Sequence, residues 1–192
     1  MKIFQNKQPA WLSVPLKKIR GVEFVPINEM QIAGDKNFTH KHLKTIENNY
    51  KKAPFFTEVM PFIESWYQFQ SEFIIERNIH FLQNLLSSWN IAVKIYFSSK
   101  LDCHSTDNKL LIEIIEKVGG TEYLFGAGSV AYLKAKLFEE AGIKLIAQNY
   151  THPIYDQFNA EQFTAGLSCI DALMNCGING VKDLVCDRKL GL

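Results

Sequence analysis

Between Asn149 and Gly177 the chain places His152, Tyr155, Asp156, Gln157, Ser168 and Asp171 in a segment that opens as a proline-containing loop and closes as a short capped helix. A histidine that titrates near neutrality can carry a proton, and tyrosine and glutamine can orient a polar ligand. His152 with Tyr155 and Gln157 is therefore the first candidate set, and its plainer reading is a surface or turn histidine. Ser168-Cys169-Ile170-Asp171 has the spacing of a capping box, with Ser168 as N-cap and Asp171 reaching back from the third helical position. Capping alone accounts for both residues. The functional alternative aims the Asp171 carboxylate at a substrate or at His152.

Other constellations are sparser. Gly126-Ala127-Gly128-Ser129 follows a predicted strand and opens a predicted helix, where glycines allow close approach and free backbone N–H groups suit an anion. The full dinucleotide fingerprint is absent, and a tight turn capped by Ser129 explains the same residues. Lys41-His42-x-Lys44 could meet an anionic substrate, although a solvated helix face is the default for its lysines. Asp102-Cys103-His104 lacks the spaced partners of a metal site, and no metal is expected. Cys169 and Cys176 read as packed thiols without an activating base.

These residues need elements to hold them. Trp11 to Val14 and Val22 to Ile27 read as edge strands, and Gln31 to Asn37 as a polar turn. A helix is expected from Thr39 to Ala53, with Leu43, Ile46, Tyr50 and Ala53 as its apolar stripe and His42 on the border. Pro54 ends it, and a second helix follows from Phe55 to Tyr67. A third, Ser71 to Trp89, carries Asn78 inside its apolar stripe, where a buried amide would need partners.

From Ile91 the pattern changes to strand (Ile91–Phe97), helix (Asn108–Val118), strand (Thr121–Phe125), helix (Ser129–Ala141) and strand (Ile143–Gln148). That alternation predicts two βαβ units and a parallel sheet. Its ligand edge would gather Ser98-Ser99, Gly126–Gly128 and Asn149–Gln157. The expected fold is α/β: a parallel-sheet core, a helical segment over about 39–90, and N-terminal edge strands, all in one domain.

Composition narrows the class. The chain has 192 residues, 47% hydrophobic and 21% charged, which is ordinary globular content. Lys plus Arg is 21 against 20 for Asp plus Glu, so the net charge of +1 gives no electrostatic case for nucleic acid or an anionic membrane. Four scattered cysteines make no disulfide framework, and the start has no signal-peptide core. A cytoplasmic protein without membrane insertion, acting on a small-molecule or sugar-linked substrate, is the expectation. No cofactor and no oligomeric state can be read from the sequence.

Five stretches in order, KHLKTIENNYKKAPFF (41–56), RNIHFLQNLL (77–86), YLFGAGSVAYL (123–133), HPIYDQF (152–158) and LSCIDALMNCG (167–177), resemble the WbqC-like family. Trp11-Leu12-Ser13-Val14-Pro15-Leu16 resembles the family's early strand. The resemblance implies a bacterial gene cluster for O-antigen or another surface polysaccharide, and a transferase that adds glycine or another aminoacyl group to a sugar. The family-matching polar residues are Lys41, His42, Asn78, Gly126, Gly128, His152, Tyr155, Gln157, Ser168 and Asp171. Members usually open with a further strand–turn–helix–strand segment, which the resemblance leads one to miss here, and Phe38 stands where the family has Trp.

On this reading His152 is the expected base, Asp171 its orienter, and the Gly126–Gly128 backbone an anion or oxyanion cradle. Two alternatives remain: a non-catalytic assembly subunit and a nucleotide or nucleotide-sugar binder. An exposed patch of Phe55, Phe56, Phe62 and Trp66 would favour the subunit. A pocket lined by His42, Asn78 and His152 would favour the enzyme.

Overall fold

The computed structural model describes residues 1–18, 21, 24–34 and 37–186. It has the mixed α/β content expected, in two compact units: Met1–Ala92 with the described residues from His152 onward, and Val93–Thr151.

The first unit begins with a hairpin. Strand β1 (Lys2–Gln5) pairs antiparallel with β2 (Gln8–Trp11), in a register from Lys2 opposite Trp11 to Gln5 opposite Gln8. Asn6 and Lys7 both take left-handed backbone angles, φ 49° and 63°, as a two-residue hairpin turn demands. The strand expected at Trp11–Val14 is thus displaced toward the N-terminus. The strand expected at Val22–Ile27 begins outside the described residues. Its remainder is irregular and leads into a 3-10 turn at Ile27–Glu29. The polar turn at Gln31–Asn37 also extends outside the described residues.

Three helices follow close to their predicted places: α1 (Asn37–Tyr50), α2 (Phe56–Gln68) and α3 (Ile74–Ser88). Ile46 and Tyr50 of α1, Val59 and Ile63 of α2, and Leu85 of α3 enter one core with Ile3 of the hairpin. Trp89 enters it too, its indole N–H donating to the Ile178 carbonyl at 2.8 Å.

The last helix, α6 (Cys169–Cys186), contributes Leu173, Met174 and Val181 to this core. Its helical path breaks at Gly177, where φ is 73° and ψ 172°, a conformation almost reserved for glycine. Phe55 packs against the break so closely that an added Cβ would stand 2.6 Å from its ring.

The second unit is small. Helix α4 (Asp107–Lys117), strand β3 (Glu122–Gly126), helix α5 (Ala135–Glu140) and strand β4 (Lys144–Gln148) enclose buried Ile115, Phe138 and Ile143. β3 and β4 pair in parallel, from Glu122 opposite Lys144 to Gly126 opposite Gln148. The expected parallel-sheet core therefore reduces to two paired strands among the described residues. Ile91–Phe97 forms no strand, despite its alternation.

The helix expected from Ser129 is also shorter. Asn108, buried on α4, accepts from Lys134 N–H at 3.0 Å and donates to the Tyr132 carbonyl at 3.0 Å. Those bonds hold a bend where the helix would have run, so α5 begins only at Ala135.

Candidate functional site

The capping-box spacing at Ser168–Asp171 is half used. Ser168 does cap α6, its Oγ accepting from Ile170 N–H at 3.4 Å. Its own N–H, which a capping box would give to Asp171, donates instead to the Lys2 carbonyl at 2.7 Å. Asp171 turns inward and is 1% exposed.

A carboxylate so deep needs donors, and three converge on it. Tyr50 donates to Oδ1 at 2.7 Å, and Tyr155 and Gln157 donate to Oδ2 at 2.8 and 2.9 Å. Burial first, and then the Asp171 charge, push both phenols above their ordinary pKa, so they remain protonated donors. Gln157 also clasps Thr164 through both ends of its amide, at 2.7 and 3.0 Å. Asn175, one turn beyond Asp171, donates to the Asp171 carbonyl and accepts from Phe158 N–H. The network ties α1, α6 and the loop over 155–164 together. Asp171 is thus no open carboxylate aimed at substrate, as one reading of the sequence had it.

His152 lies at the edge of this loop. Its Nδ1 is 2.8 Å from the Pro153 carbonyl, and Nε2 accepts from Gly166 N–H at 3.4 Å. Phe163 packs against both His152 and Tyr155. Asp171 has taken the two tyrosines and Gln157 as partners in place of the expected histidine orientation.

A cleft of about 390 Å³ opens where α2 and α3 face each other above the start of α6. Spacing explains its walls. Ile63, Trp66 and Tyr67 share one face of α2, and Ile74, Asn78 and Phe81 share one face of α3. Ser168, Cys169 and Ile170 close one end, with Met1 and Val14 completing it.

Asn78 is exposed in this cleft rather than buried in the core, because its stripe on α3 faces the opening. Trp66 donates its indole N–H to Asn78 Oδ1 at 3.1 Å. That bond uses the acceptor of the amide and turns its two N–H donors toward other partners.

Behind the cleft sits His42, 6% exposed, with Nδ1 3.1 Å from the Tyr67 hydroxyl. Burial chiefly, and then the Met1 ammonium, hold the imidazole below its ordinary pKa, opposed by a Ser13 backbone partner. A neutral ring beside a phenol on the cleft wall is equipped to receive a proton. Cys169 is an exposed residue, yet its thiol lies in the cleft wall, where surrounding protein pushes its pKa up. It is not poised as a thiolate.

The structure therefore brings together Asn78 and Ser168 at the cleft, with His42 one residue behind them. It gathers Tyr155, Gln157 and Asp171 in the buried network and sets His152 beside that network. Lys41 is exposed on α1. Gly126 and Gly128 belong to the second unit, in β3 and the 3-10 turn Ala127–Ser129, which opens no long helix. Phe55, Phe56, Phe62 and Trp66 are partly buried and pack against the core.

Sequence reasoning placed neither Trp66 and Tyr67 at a substrate cleft nor Tyr50 and Asn175 in a polar network. The signal for the aromatic three was available: a buried Tyr or Trp brings a polar group that must find a partner.

A family model described as the WbqC-like protein family matches residues 1–183. The chain is also similar to an uncharacterized protein of Mycobacterium tuberculosis (strain ATCC 25618 / H37Rv), Rv1507c. The two are 24% identical over 170 residues, which is 87% of this chain and 72% of the relative. No solved structure matches it.

Proposed function

The chain belongs to the WbqC-like protein family, and from that premise we propose that it is a transferase of surface-polysaccharide biosynthesis, O-antigen included. It passes an acyl group, glycyl or another aminoacyl, to an amino or hydroxyl group of a sugar bound in the cleft between α2 and α3.

One observation carries this reading: Trp66 and Asn78 are joined by a hydrogen bond that leaves the Asn78 N–H groups as donors beside aromatic faces. Sugars present both surfaces that such a wall needs, apolar C–H faces for Trp66 and Phe81 and oxygens for Asn78 and the Ser168 hydroxyl. Binding pockets are mostly apolar with a few placed polar groups, which is how this cleft is lined.

In the reaction, the sugar nitrogen or oxygen bonds to the acyl carbon as the donor's leaving group departs, and a base takes the nucleophile's proton. We assign that proton to the Tyr67–His42 pair, whose neutral imidazole can receive it at Nδ1 as the Tyr67 hydroxyl accepts the proton from substrate. Asp171, through Tyr155 and Gln157, is a positioning residue. His152 holds the loop that this network shapes.

The test is a transfer assay. The purified chain is incubated with amino-sugar acceptors and glycyl or other aminoacyl donors, and the sugar is weighed by mass spectrometry. A sugar heavier by one acyl group, formed by wild type and not by His42→Gln, supports the reading. Equal activity in His42→Gln removes the proton assignment.

A further inference from the structure

We propose that a second cavity of the first unit is an oxyanion site that takes a phosphate group, held between Arg77 and Lys17. The proposal goes beyond the cleft and does not depend on what occupies it.

Backbone pairing builds the site. Residues 15–17 run antiparallel to 31–33, with Lys17 N–H donating to the Gln31 carbonyl at 2.8 Å and Ala33 N–H to the Pro15 carbonyl at 2.9 Å. Ile32 N–H in turn donates to the Glu72 carbonyl at 2.7 Å. These bonds bring Lys17 to the foot of α3, on which Arg77 stands. The cavity so formed is about 420 Å³, and Lys17, Gly34, Thr39, Tyr67, Glu72 and Arg77 are in its wall.

Arg77 is the informative residue. Its Nε donates to the Ser71 carbonyl at 3.1 Å and its Nη1 to the Tyr67 carbonyl at 3.3 Å, while its guanidinium lies 5.4 Å over the Trp66 ring. All three partners are neutral. Two of the five N–H donors of a guanidinium are used, and three remain among the described residues. A half-buried guanidinium fixed by carbonyls is a fork held open for a planar or tetrahedral oxyanion.

Lys17 supplies the second charge, bonded to Gln31 Oε1 at 2.9 Å and Glu72 Oε2 at 3.3 Å. Among the described residues of the wall Glu72 is the one carboxylate, beside the two cations Lys17 and Arg77. The first turn of α1 adds Thr39 and the positive end of its dipole. Glu72 therefore competes with a bound anion for Lys17.

That competition gives a test with a sign. Calorimetric titration at low salt uses inorganic phosphate, methyl phosphate and acetate on the full chain. Phosphate is expected to bind one to one, at least about tenfold more weakly in Arg77→Gln and detectably more weakly in Lys17→Gln. Glu72→Gln is expected to tighten it about threefold, and Glu47→Gln, off the cavity, to leave it unchanged.

Should Arg77→Gln fail to fold, the gain in Glu72→Gln still decides, since misfolding does not raise affinity. Methyl phosphate binding as tightly as phosphate assigns the site to an esterified group, and weaker binding assigns it to free phosphate. Phosphate that fails to bind, that ignores Glu72→Gln, or that binds no better than acetate overturns the proposal. None of these results bears on sugar binding at Asn78, which is neutral and read separately.

Discussion

Tyr50 and Asp171 lie 121 residues apart and meet in a 2.7 Å hydrogen bond, a phenol donating to a carboxylate with both residues at most 2% exposed. The same phenol accepts Phe4 N–H at 3.0 Å. One hydroxyl thus links the N-terminal hairpin, the end of α1 and the first turn of α6. The loop carrying Tyr155 and Gln157 hangs from the other carboxylate oxygen.

Removing the carboxylate should therefore be expensive. Asp171→Ala strands two phenols and an amide in the interior and is expected to destabilise the fold by about 3–5 kcal/mol. Tyr50→Phe loses a hydrogen bond to a charged group and should cost about 1.5–3 kcal/mol. Urea unfolding followed by tryptophan fluorescence measures both. A loss below about 1 kcal/mol for Asp171→Ala would show that the network does not hold the fold.

Gly177→Ala makes a second prediction about α6. The substitution forces a side chain into a glycine-only backbone conformation and places its Cβ 2.6 Å from Phe55 Cδ1. A destabilisation of about 2–4 kcal/mol is expected. Gly180→Ala, in a roomier position with a negative φ, should cost far less in the same melt.

His42 predicts a pH dependence. Its folded pKa lies below the ordinary 6.5, so between the two values the unfolded chain binds more protons than the folded one. The stability contributed by the neutral ring is full above 6.5 and is lost as the pH falls through the folded pKa. Wild type compared with His42→Gln, from about pH 7.5 downward, should show a steeper loss in wild type only. Parallel curves would mean that His42 titrates as freely in the fold as out of it.

Much of this could be read from the residues, and the failures have physical causes. The three helices over 37–88 follow from apolar spacing and from Pro54, which closes the first. The hairpin was hidden because Asn6-Lys7 turns without a glycine and Pro9 sits in the second strand. Ile91–Phe97 alternates like a strand, but alternation does not supply a pairing partner. The shortened helix at 129–141 depends on Asn108, 21 residues before Ser129, whose amide pins the bend at 132–134.

At the candidate site, Asn78 was legible as a residue set against its hydrophobic stripe. That its stripe faces a cleft was not, since the sequence does not say where two helices part. Asp171 was legible as a carboxylate near a helix start. Its burial depends on Tyr50, whose nearness no local pattern announces.

Asn78 itself should be dispensable for folding. It is exposed, and its side chain accepts from the Trp66 indole N–H at the cleft surface. Asn78→Ala is expected to change stability by about 0.5 kcal/mol or less in urea unfolding. A much larger loss would recast the Trp66–Asn78 pair as a structural clamp.

Whether the cleft between α2 and α3 takes a sugar is the central question. The direct measurement is a ligand-dependent melt of wild type and Asn78→Ala with neutral methyl glycosides and N-acetylated sugars, which carry no phosphate to occupy the Arg77 cavity. A sugar at a hundredfold its dissociation constant should add about 2.7 kcal/mol to wild type, and the shift should vanish in Asn78→Ala. No shift with any sugar, or one of equal size in the variant, would contradict the cleft as the substrate site.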